Sequence, residues 1–428
     1  MESLVIRNGR VVDPSQNFDK ICDIKVENGI IAEIGDRLTG DQDLDASGFA
    51  VFPGLVDMHV HLRDPGFTYK EDILTGCTAA AAGGITSVLC MPNTKPAVDT
   101  PEVVRYIVKM ASQAPAHVYP TACITKGLLG NEITDFSALK AAGAVAVSDD
   151  GRPVENGAIM KKALEDAQKI GLLVTSHCED LQIINGGIIN EGAVSRKLGV
   201  KGMHRSSEDS ITAREIALAA ATGTAVHIAH VSTRGSVALI RDAKARGVKV
   251  TAETAPHYFM LTDELLLERD ADYRMNPPLR EREDCEAILE GLLDGTIDCI
   301  ITDHAPHAPE EKTNFETAPN GVVGLETSFA ASMTSLVCTG KMTLSDLVRK
   351  MSFNPAKLLG ISGGSLRVGM PADIAIADLN ESWTVEPDKF YSKSRNSVFK
   401  GMKLKGKIKY TLLDGRIVYQ DEKKGGVQ

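Results

Sequence analysis

The amino-acid sequence predicts an α/β protein, an eight-stranded parallel barrel covered by helices, with a small β-sandwich beside it. Between residues 50 and about 305, short apolar runs rich in β-branched residues alternate with stretches of helical periodicity. The apolar runs are nearly continuous, as expected for parallel strands that are buried on both faces. Both chain ends instead carry β-rich runs interrupted by Asn-Gly or Asp-Gly, a pattern that is typical of hairpins.

Eight strands are predicted in the middle of the chain, and each is followed by a helical pattern or a longer connection. The strands cover 51–61, 85–92, 117–124, 144–149, 172–178, 225–231, 248–254 and 297–303. The helical patterns include 69–82, 101–112, 158–170, 209–221, 234–246 and 280–293. Eight such units are the count of a (β/α)8 barrel of the TIM type. A doubly wound sheet is the alternative, but no Gly-x-Gly-x-x-Gly stands at a strand-to-helix turn.

The two chain ends are predicted to form one small domain together. The β-rich runs lie at 4–12, 23–31, 372–376 and 407–418. Because these runs flank the barrel on both sides, the simplest arrangement is a discontinuous sandwich built from both ends. We therefore expect a composite sandwich of residues 1–50 with 366–428 and a barrel over residues 51–365.

The composition indicates a soluble globular chain whose partner is neither nucleic acid nor an anionic membrane. The 428 residues are 43% hydrophobic and 24% charged, enough for one large domain with a small companion. A net charge of −10, with both signs mixed along the chain, argues against nucleic acid or an anionic membrane as partner. The first residues do not have the basic-then-apolar pattern of a signal peptide. The eight cysteines include no Cys-x-x-Cys motif. A cytoplasmic location is therefore expected.

Potential metal ligands follow the predicted strands at the end where a barrel places its reactive groups. His59 and His61 end the first strand, and strand alternation puts their side chains on the same face. Later strands end, in chain order, at Asp149 with Asp150, at His177, at His230 and at Asp303. His227 lies three positions before His230 and hence on the opposite face of its strand, so we predict a structural role for it.

Four imidazoles and at least two carboxylates at one rim suit two metal ions rather than one. Zinc binds nitrogen and carboxylate ligands of this kind, and a carboxylate can bridge two ions. Such a pair lowers the pKa of a bound water to about 7, which gives a nucleophile at neutral pH. A nearby carboxylate can pass the proton to a leaving nitrogen. The pattern leaves open which of Asp149 and Asp150 faces the ions.

Polar side chains near the same rim are candidates for substrate contacts. Arg63, just after the His-x-His pair, can bind a carboxylate through two hydrogen bonds, with an ordinary surface salt bridge as the alternative. Asn93 and Asn276 each stand beside a proline, so a turn role is the alternative for both. His307 lies in the polar, proline-bearing stretch 306–320, which we predict to be a lid.

These motifs resemble the amidohydrolase superfamily and, within it, the bacterial dihydroorotase family with an aspartate-bridged metal pair. The resemblance covers essentially the whole chain. Its most specific stretches are His-Val-His-Leu-Arg-Asp-Pro-Gly at 59–66, Thr-Tyr-Lys-Glu-Asp at 68–72, Met-Pro-Asn-Thr at 91–94, Ser-Asp-Asp-Gly at 148–151 and Thr-Asp-His-Ala-Pro-His at 302–307. It implies that the metal ligands are His59, His61, Asp150, His177, His230 and Asp303. It also implies that Arg63, Asn93, Asn276 and His307 contact the substrate.

The resemblance implies an enzyme that interconverts N-carbamoyl-L-aspartate and L-dihydroorotate in pyrimidine synthesis. Two zinc ions per chain are expected, with one as the alternative. A hydroxide between the ions would attack the ring amide, Asp303 would move the proton to the departing nitrogen, and Arg63 would hold the substrate carboxylate. A homodimer is expected, while association with another pyrimidine-pathway enzyme is left open.

The chain departs from its relatives in two respects. The fourth strand ends in Ser-Asp-Asp, so we expect no carboxylated lysine, and Lys126 is interpreted as a loop or surface residue. The lid ends in Pro-Asn-Gly at 319–321, where phenylalanine is expected at position 320. Because backbone groups of this turn are thought to touch substrate, Asn320 can be tolerated there.

Two rival functions are consistent with the motifs. One is another cyclic-amide hydrolase, such as an allantoinase or a hydantoinase, against which Arg63 and the aspartate bridge both argue. The other is a catalytically inactive paralogue that serves as a scaffold for another pyrimidine enzyme. Such a scaffold is expected to have lost metal ligands, whereas all six positions are present here.

Overall fold

The structure is a computed structural model that describes residues 3–421, within which it has 18 strands and 13 α-helices. The strands are β1 (Leu4–Asp13), β2 (Phe18–Glu27), β3 (Ile30–Gly35), β4 (Gln42–Asp45), β5 (Ala50–Pro53), β6 (Leu55–Val60), β7 (Ile85–Cys90), β8 (His117–Ala122), β9 (Ala146–Val147), β10 (Leu173–Ser176), β11 (Ile189–Asn190), β12 (Gly202–Met203), β13 (Val226–Ile228), β14 (Val250–Thr254), β15 (Cys299–Ile300), β16 (Ile374–Thr384), β17 (Lys403–Leu413) and β18 (Arg416–Gln420). The α-helices are α1 (Ile73–Ala82), α2 (Pro101–Ala111), α3 (Phe136–Ala142), α4 (Gly157–Ile170), α5 (Leu181–Ile184), α6 (Ala193–Leu198), α7 (Ser206–Thr222), α8 (Arg234–Ala245), α9 (Pro256–Met260), α10 (Arg282–Asp294), α11 (Ser328–Ser332), α12 (Leu344–Val348) and α13 (Asn354–Leu359).

Eight parallel strands form the barrel and confirm the predicted fold class. Their order is β6-β7-β8-β9-β10-β13-β14-β15, and each of the eight predicted strands is present with shorter bounds. A 2.8 Å hydrogen bond from the N–H of His61 to the carbonyl of His304 joins the first strand to the segment after the eighth. Every residue of β6 and β7 is buried, since helices cover the outer face and side chains fill the interior.

Helix α1 begins four residues later than the 69–82 pattern predicts. Asp72 caps it: the side chain accepts a 2.8 Å hydrogen bond from the N–H of Thr75, and the Asp72 N–H donates to the Thr75 hydroxyl at 3.2 Å. This reciprocal arrangement satisfies donors that a helix start otherwise leaves free, so it fixes where the helix begins. The prediction was wrong for residues 69–72 because periodicity does not register a cap.

The predicted first strand, 51–61, is two strands that belong to different sheets. β5 pairs with β1 and β16 at the chain ends, whereas β6 pairs with β7 in the barrel. Gly54 separates the two strands. A Cβ atom at this position would lie 2.2 Å from the hydroxyl oxygen of Thr86, so only glycine fits where the chain crosses from one sheet to the other.

Both chain ends contribute to a second sheet, as predicted. Its order is β18-β17-β16-β5-β1-β2-β3, with β4 pairing with β1. The sheet folds over on itself, because Ile31 donates to the carbonyl of Met370 at 2.9 Å and accepts from the N–H of Gly369 at 2.8 Å. A separate small core fills the fold, and it includes Ile6, Val11, Ile24, Val26, Ile31, Leu366, Ile374, Ile376 and Leu412.

One stretch of the C-terminal part returns from this sheet to the barrel. We call residues 391–397 the strap. The hydroxyl of Ser394 donates to the carbonyl of Lys70 at 2.7 Å, and the carbonyl of Asn396 accepts from the N–H of Val323 at 3.0 Å. The strap thus contacts the loops that follow β6 and β15. The predicted division of the chain into two domains stays a prediction.

Neither a membrane-spanning helix nor a disulfide bond is present within residues 3–421. Within residues 3–421, no helix combines the length and the apolar character that crossing a membrane requires. All eight cysteines are free, and seven of them are buried. Buried thiols of this kind pack as small apolar side chains, which agrees with their positions in apolar segments.

A histidine–carboxylate contact joins the barrel to the terminal sheet. His117, at the start of β8, has Nε2 at 3.1 Å from an oxygen of Asp373, just before β16, and 4.0 Å from Asp414. The hydrogen bond to Asp373 raises the pKa of His117 although partial burial opposes the shift. Because the folded pKa exceeds the unfolded value of about 6.5, the stabilisation is fully present below about pH 6.5. It is lost as the pH rises through the folded pKa.

We expect His117→Gln to lower the melting temperature by about 1–3 °C at pH 6 and by less than about 1 °C at pH 9. Thermal unfolding followed at both pH values measures the difference. His204→Gln is the matched control, because His204 is exposed and its side chain forms no salt bridge with residues 3–421. Equal destabilisation by His117→Gln at both pH values would contradict the assignment.

Candidate metal centre and active site

The structure brings the six predicted metal ligands together at one rim of the barrel. They are His59 and His61 at the end of β6, Asp150 after β9, His177 after β10, His230 after β13 and Asp303 after β15. All six side chains are buried, so they lie inside the barrel mouth. Their convergence follows from the parallel sheet, since all strands end at the same rim.

One set of donor atoms surrounds a space between β6, β9 and β15. Nε2 of His59 lies 3.3 Å from Oδ1 of Asp150, and Nε2 of His61 lies 3.5 Å from Oδ2 of the same carboxylate. Oδ1 of Asp303 lies 3.2 Å from Nε2 of His61 and 3.7 Å from Nε2 of His59. Two imidazoles and two carboxylates therefore face one another across this space.

A second set of donor atoms lies on the other side of Asp150. Nδ1 of His177 is 2.8 Å from Nε2 of His230. Both nitrogens are 3.5 Å from Oδ1 of Asp150. Asp150 therefore belongs to both sets, which is the position that a bridging carboxylate occupies in a two-metal site.

Two donor atoms at the centre lack partners within the protein. Nε2 of His59 and Oδ1 of Asp150 are buried and form no hydrogen bond with residues 3–421. Buried polar atoms are normally paired, so orphaned ones indicate a partner that is not a protein group. Imidazole nitrogens and carboxylate oxygens are ligands that zinc and related divalent ions bind. The residues present therefore fit a pair of divalent metal ions.

The structure distinguishes the two adjacent aspartates. Asp149 faces away from the centre and accepts hydrogen bonds from the N–H of Thr125, at 3.0 Å, and from its hydroxyl. Burial raises the pKa of Asp149 to about 6. Burial also opposes ionisation of Asp150, but the charge of His59 and the adjacent side chains of His177 and His230 hold the pKa of Asp150 well below its usual range. Only Asp150 is placed to bind metal.

Glu253, which the sequence analysis did not single out, orients His59. One carboxylate oxygen of Glu253 lies 2.7 Å from Nδ1 of His59, and the other lies 3.1 Å from Nε2 of His227. A hydrogen bond from the Nδ1–H of His59 leaves its Nε2 free to face the centre. His227 is buried between Glu253 and Thr251 and so shares the Glu253 carboxylate with His59, and its structural role stays a prediction. A carboxylate within the apolar strand β14 is the signal that could have identified Glu253.

The two predicted asparagines each connect to a histidine of the centre. Oδ1 of Asn93 accepts a 2.8 Å hydrogen bond from Nδ1 of His61. Asn276 donates from Nδ2 to Glu179 at 2.7 Å, and the other oxygen of Glu179 lies 3.2 Å from Nε2 of His177. The sequence did not indicate Glu179 as a site residue, although it follows His177 by only two positions. Substrate contact by the two asparagines stays a prediction.

Arg63 lies beside the centre with no carboxylate to pair with. Its Nε–H donates to the carbonyl of Pro306 at 3.2 Å, and among residues 3–421 its guanidinium makes no salt bridge. Arg63, His230 and Asp303 also have positive φ angles, of 60°, 31° and 49°. Such conformations cost about 1–3 kcal/mol each and concentrate at functional sites.

Because the guanidinium of Arg63 makes no salt bridge with residues 3–421, the surface salt bridge that was the alternative for Arg63 is not formed.

His307 is held as a neutral imidazole near Arg63. Burial lowers the pKa of His307 to about 3, and the positive charges of Arg63 and Lys70 act in the same direction. Nε2 lies 2.9 Å from the carbonyl of Asn320, so it donates, while Nδ1 lies 3.3 Å from the Lys70 ammonium, so it accepts. The side chain of Asn320 turns away to accept from Arg274 at 3.1 Å. The backbone of Asn320, not its side chain, therefore contacts His307.

Asp303 is ionised at neutral pH. Burial by itself favours the neutral acid, but the hydrogen bond from His61 and the charge of His59 lower the pKa of Asp303 to about 2. A buried carboxylate in this state can accept a proton from a neighbouring group. Asp303, at the end of the eighth strand, is thus a candidate both for binding metal and for accepting a proton.

Two solved structures share this architecture over nearly the whole chain. L-hydantoinase (dihydropyrimidinase) from Arthrobacter aurescens gives a TM-score of 0.87 at 26% sequence identity, covering 98% of this chain and 96% of that one. D-hydantoinase (dihydropyrimidinase) from a Thermus species gives a TM-score of 0.83 at 25% identity, covering 98% and 95%. Both similarities include the barrel and the sheet formed by the chain ends.

Proteins that are similar in sequence show to which family the chain belongs. A family model described as dihydro-orotase-like matches residues 48–236. The dihydroorotase of Citrifermentans bemidjiense is 52% identical over 423 residues, covering 98% of this chain and all of that protein. The dihydroorotase of Acetivibrio thermocellus is 52% identical over 98% of this chain and 99% of its own length. With such identity over its full length, the chain belongs to the dihydroorotase family of cyclic amide hydrolases.

Proposed function

We propose that the chain catalyses the reversible interconversion of N-carbamoyl-L-aspartate and L-dihydroorotate, the ring-closing step on the route to UMP. One observation carries this proposal: beside the buried donor cluster around Asp150 lies the guanidinium of Arg63, which forms no salt bridge with residues 3–421. The cluster suits metal-assisted hydrolysis of an amide, and the guanidinium suits a substrate carboxylate. Membership of the dihydroorotase family supports the same reaction.

Two zinc ions are the proposed cofactors. The residues that would hold them are His59, His61, Asp150, His177, His230 and Asp303, with Asp150 shared between the two sites. Zinc is proposed over other divalent ions because the donor set is rich in imidazole nitrogen. When bound, the ions would make a water molecule acidic enough to act as a nucleophile near neutral pH and would polarise the ring amide carbonyl.

The substrate is proposed to lie between Arg63 and the donor cluster. The planar guanidinium of Arg63 would donate two parallel hydrogen bonds to the carboxylate of dihydroorotate. Asn93 and Asn276, tied to His61 and to Glu179, would line the pocket with their remaining polar atoms. The neutral ring of His307 would complete it without adding charge next to the substrate.

Asp303 is proposed to move the proton in both directions of the reaction. In ring opening, water attacks the ring amide carbonyl carbon while Asp303 accepts the proton of the water. The carbon–nitrogen bond then breaks, and Asp303 gives the proton to the departing nitrogen. Its pKa, about 2, keeps Asp303 ionised and ready to accept a proton at neutral pH.

Hydantoinase-like activity is the second candidate, because the structural neighbours carry that name. Hydantoin and allantoin lack the carboxylate that Arg63 would bind, so the unpaired guanidinium favours dihydroorotate. An inactive scaffold is less consistent with the site, since all six ligand candidates converge on one rim. A homodimer, a cytoplasmic location and association with another pyrimidine-pathway enzyme are proposals from the resemblance alone, and light scattering of the purified chain tests the first.

The metal assignment is tested by metal analysis of the purified chain, where we expect about one to two equivalents of zinc. His177→Ala removes a nitrogen ligand and should lower both zinc content and turnover. A strong chelator should abolish activity, and added zinc should restore it. Lys161→Ala, at an exposed residue of α4 outside the centre, is the control. Full activity in a preparation shown to be free of metal would disprove the assignment.

Replacing Asp303 by asparagine tests the proton transfer. The substitution keeps the shape of the side chain but removes its basicity, so turnover should fall by at least about 100-fold while the protein still folds. Steady-state kinetics and circular dichroism measure the two properties. Asp298→Asn, at the opposite end of the same strand, should leave turnover close to that of the parent. Turnover of Asp303→Asn within a few-fold of the parent would assign the proton to another residue.

The role of Arg63 separates substrate recognition from hydrolysis. Arg63→Lys keeps the charge but loses the planar pair of donors, so kcat/KM for dihydroorotate should fall by about 100-fold or more at unchanged zinc content. A cyclic amide without a carboxylate, such as hydantoin, provides the internal control. It should be a poor substrate of the parent and should respond little to the substitution. Normal kinetics of Arg63→Lys on dihydroorotate would mean that Arg63 does not bind the carboxylate.

A further inference from the structure

The loop that carries His307 is held at both of its ends by one residue of the strap. The loop leaves the barrel at Ala305 and returns at Gly321. Nδ2 of Asn396 donates to the carbonyl of Gly321 at 2.9 Å and to that of Ala305 at 3.2 Å. Its Oδ1 accepts from the backbone N–H of His307 at 3.2 Å. One amide side chain therefore contacts the two ends of the loop and the residue that faces Arg63.

Asn396 is well suited to fix this geometry. Its exposed fraction is only 2%, and both amide hydrogens and the amide oxygen have partners. Its own carbonyl accepts from Val323, so its backbone is also bound to the far side of the loop. A buried amide that loses its partners is costly, which strongly favours this single arrangement.

The strap that carries Asn396 is itself anchored by two carboxylates of the barrel, the half-buried Glu326 and the buried Glu71. Glu326 accepts from the backbone N–H groups of Tyr391, at 3.0 Å, and Ser392, at 3.1 Å. Glu71 accepts from the hydroxyl of Ser392 and from the backbone N–H of Lys393 at 3.2 Å. These contacts fix the start of the strap, so the position of Asn396 is set by the barrel and is transmitted to the loop.

We propose that Asn396 is a positioning residue that sets the place of His307, and of the Asn320 carbonyl bound to it, for substrate binding. The inference rests on the proposed function, because it assigns His307 to the substrate pocket. Asn396 does not reach the metal-ligand candidates, since its contacts are all with the loop and its base. Its loss should therefore weaken substrate binding and leave metal binding unchanged.

The test compares Asn396→Ala with Asn354→Ala. Asn354 also donates from its side chain to a backbone carbonyl, that of Asp298 at 2.8 Å, but it lies at the opposite end of the barrel. For Asn396→Ala we expect KM for dihydroorotate to rise by about tenfold or more, with kcat within about threefold and zinc content as in the parent. Asn354→Ala should keep the KM of the parent. If Asn396→Ala does not fold, Asn396→Asp, which keeps the size and the acceptor oxygen, takes its place.

A double-mutant cycle with His307→Ala shows whether Asn396 acts through His307. If it does, adding Asn396→Ala to His307→Ala should change KM by less than about threefold, because the ring to be positioned is already absent. Multiplication of the two single effects would overturn the proposal, as would a parental KM in Asn396→Ala or a parallel loss of zinc. A parent chain that does not turn over dihydroorotate would instead refute the proposed function, so the two failures are distinct.

Discussion

The arrangement of the active site depends on one buried carboxylate, that of Asp150. It lies within 3.5 Å of Nε2 of His59, His61 and His230 and of Nδ1 of His177, and its Oδ1 forms no hydrogen bond with the described part of the chain. Removing a carboxylate from water is unfavourable unless positive charge or metal compensates it. The fold meets this requirement by ending separate strands at the same rim. The two donor sets, and the space between them, follow from that convergence.

A second layer of polar side chains determines which nitrogen each histidine presents. Glu253 holds Nδ1 of His59, Asn93 holds Nδ1 of His61, and Glu179 holds Nε2 of His177. Each contact fixes the ring orientation and directs the other nitrogen to the centre. Because Glu179 also binds Asn276, the same layer connects the donor cluster to the proposed substrate pocket. The candidate metal ligands and the proposed substrate contacts therefore share supporting residues.

The proposed substrate contacts lie on segments outside the barrel strands. Arg63 and the loop with His307 follow β6 and β15, and the strap reaches them from the C-terminal part of the chain. Loops at this rim vary most easily while the strands keep the core intact. This division accounts for a shared architecture with hydantoinases at about a quarter sequence identity, combined with a guanidinium that suits an acidic substrate.

The sequence by itself determined the barrel, the sheet from both chain ends and the histidines and aspartates at the strand ends, because strand alternation and strand ends are local properties. The residue pattern alone did not decide between Asp149 and Asp150, which differ in that Asp149 contacts Thr125 after the neighbouring strand β8. It also missed Glu253, Glu179 and the strap, and it joined β5 to β6. These features depend on residues brought together from distant parts of the chain, so no local periodicity or spacing encodes them. Only the tertiary structure decided which polar groups face one another.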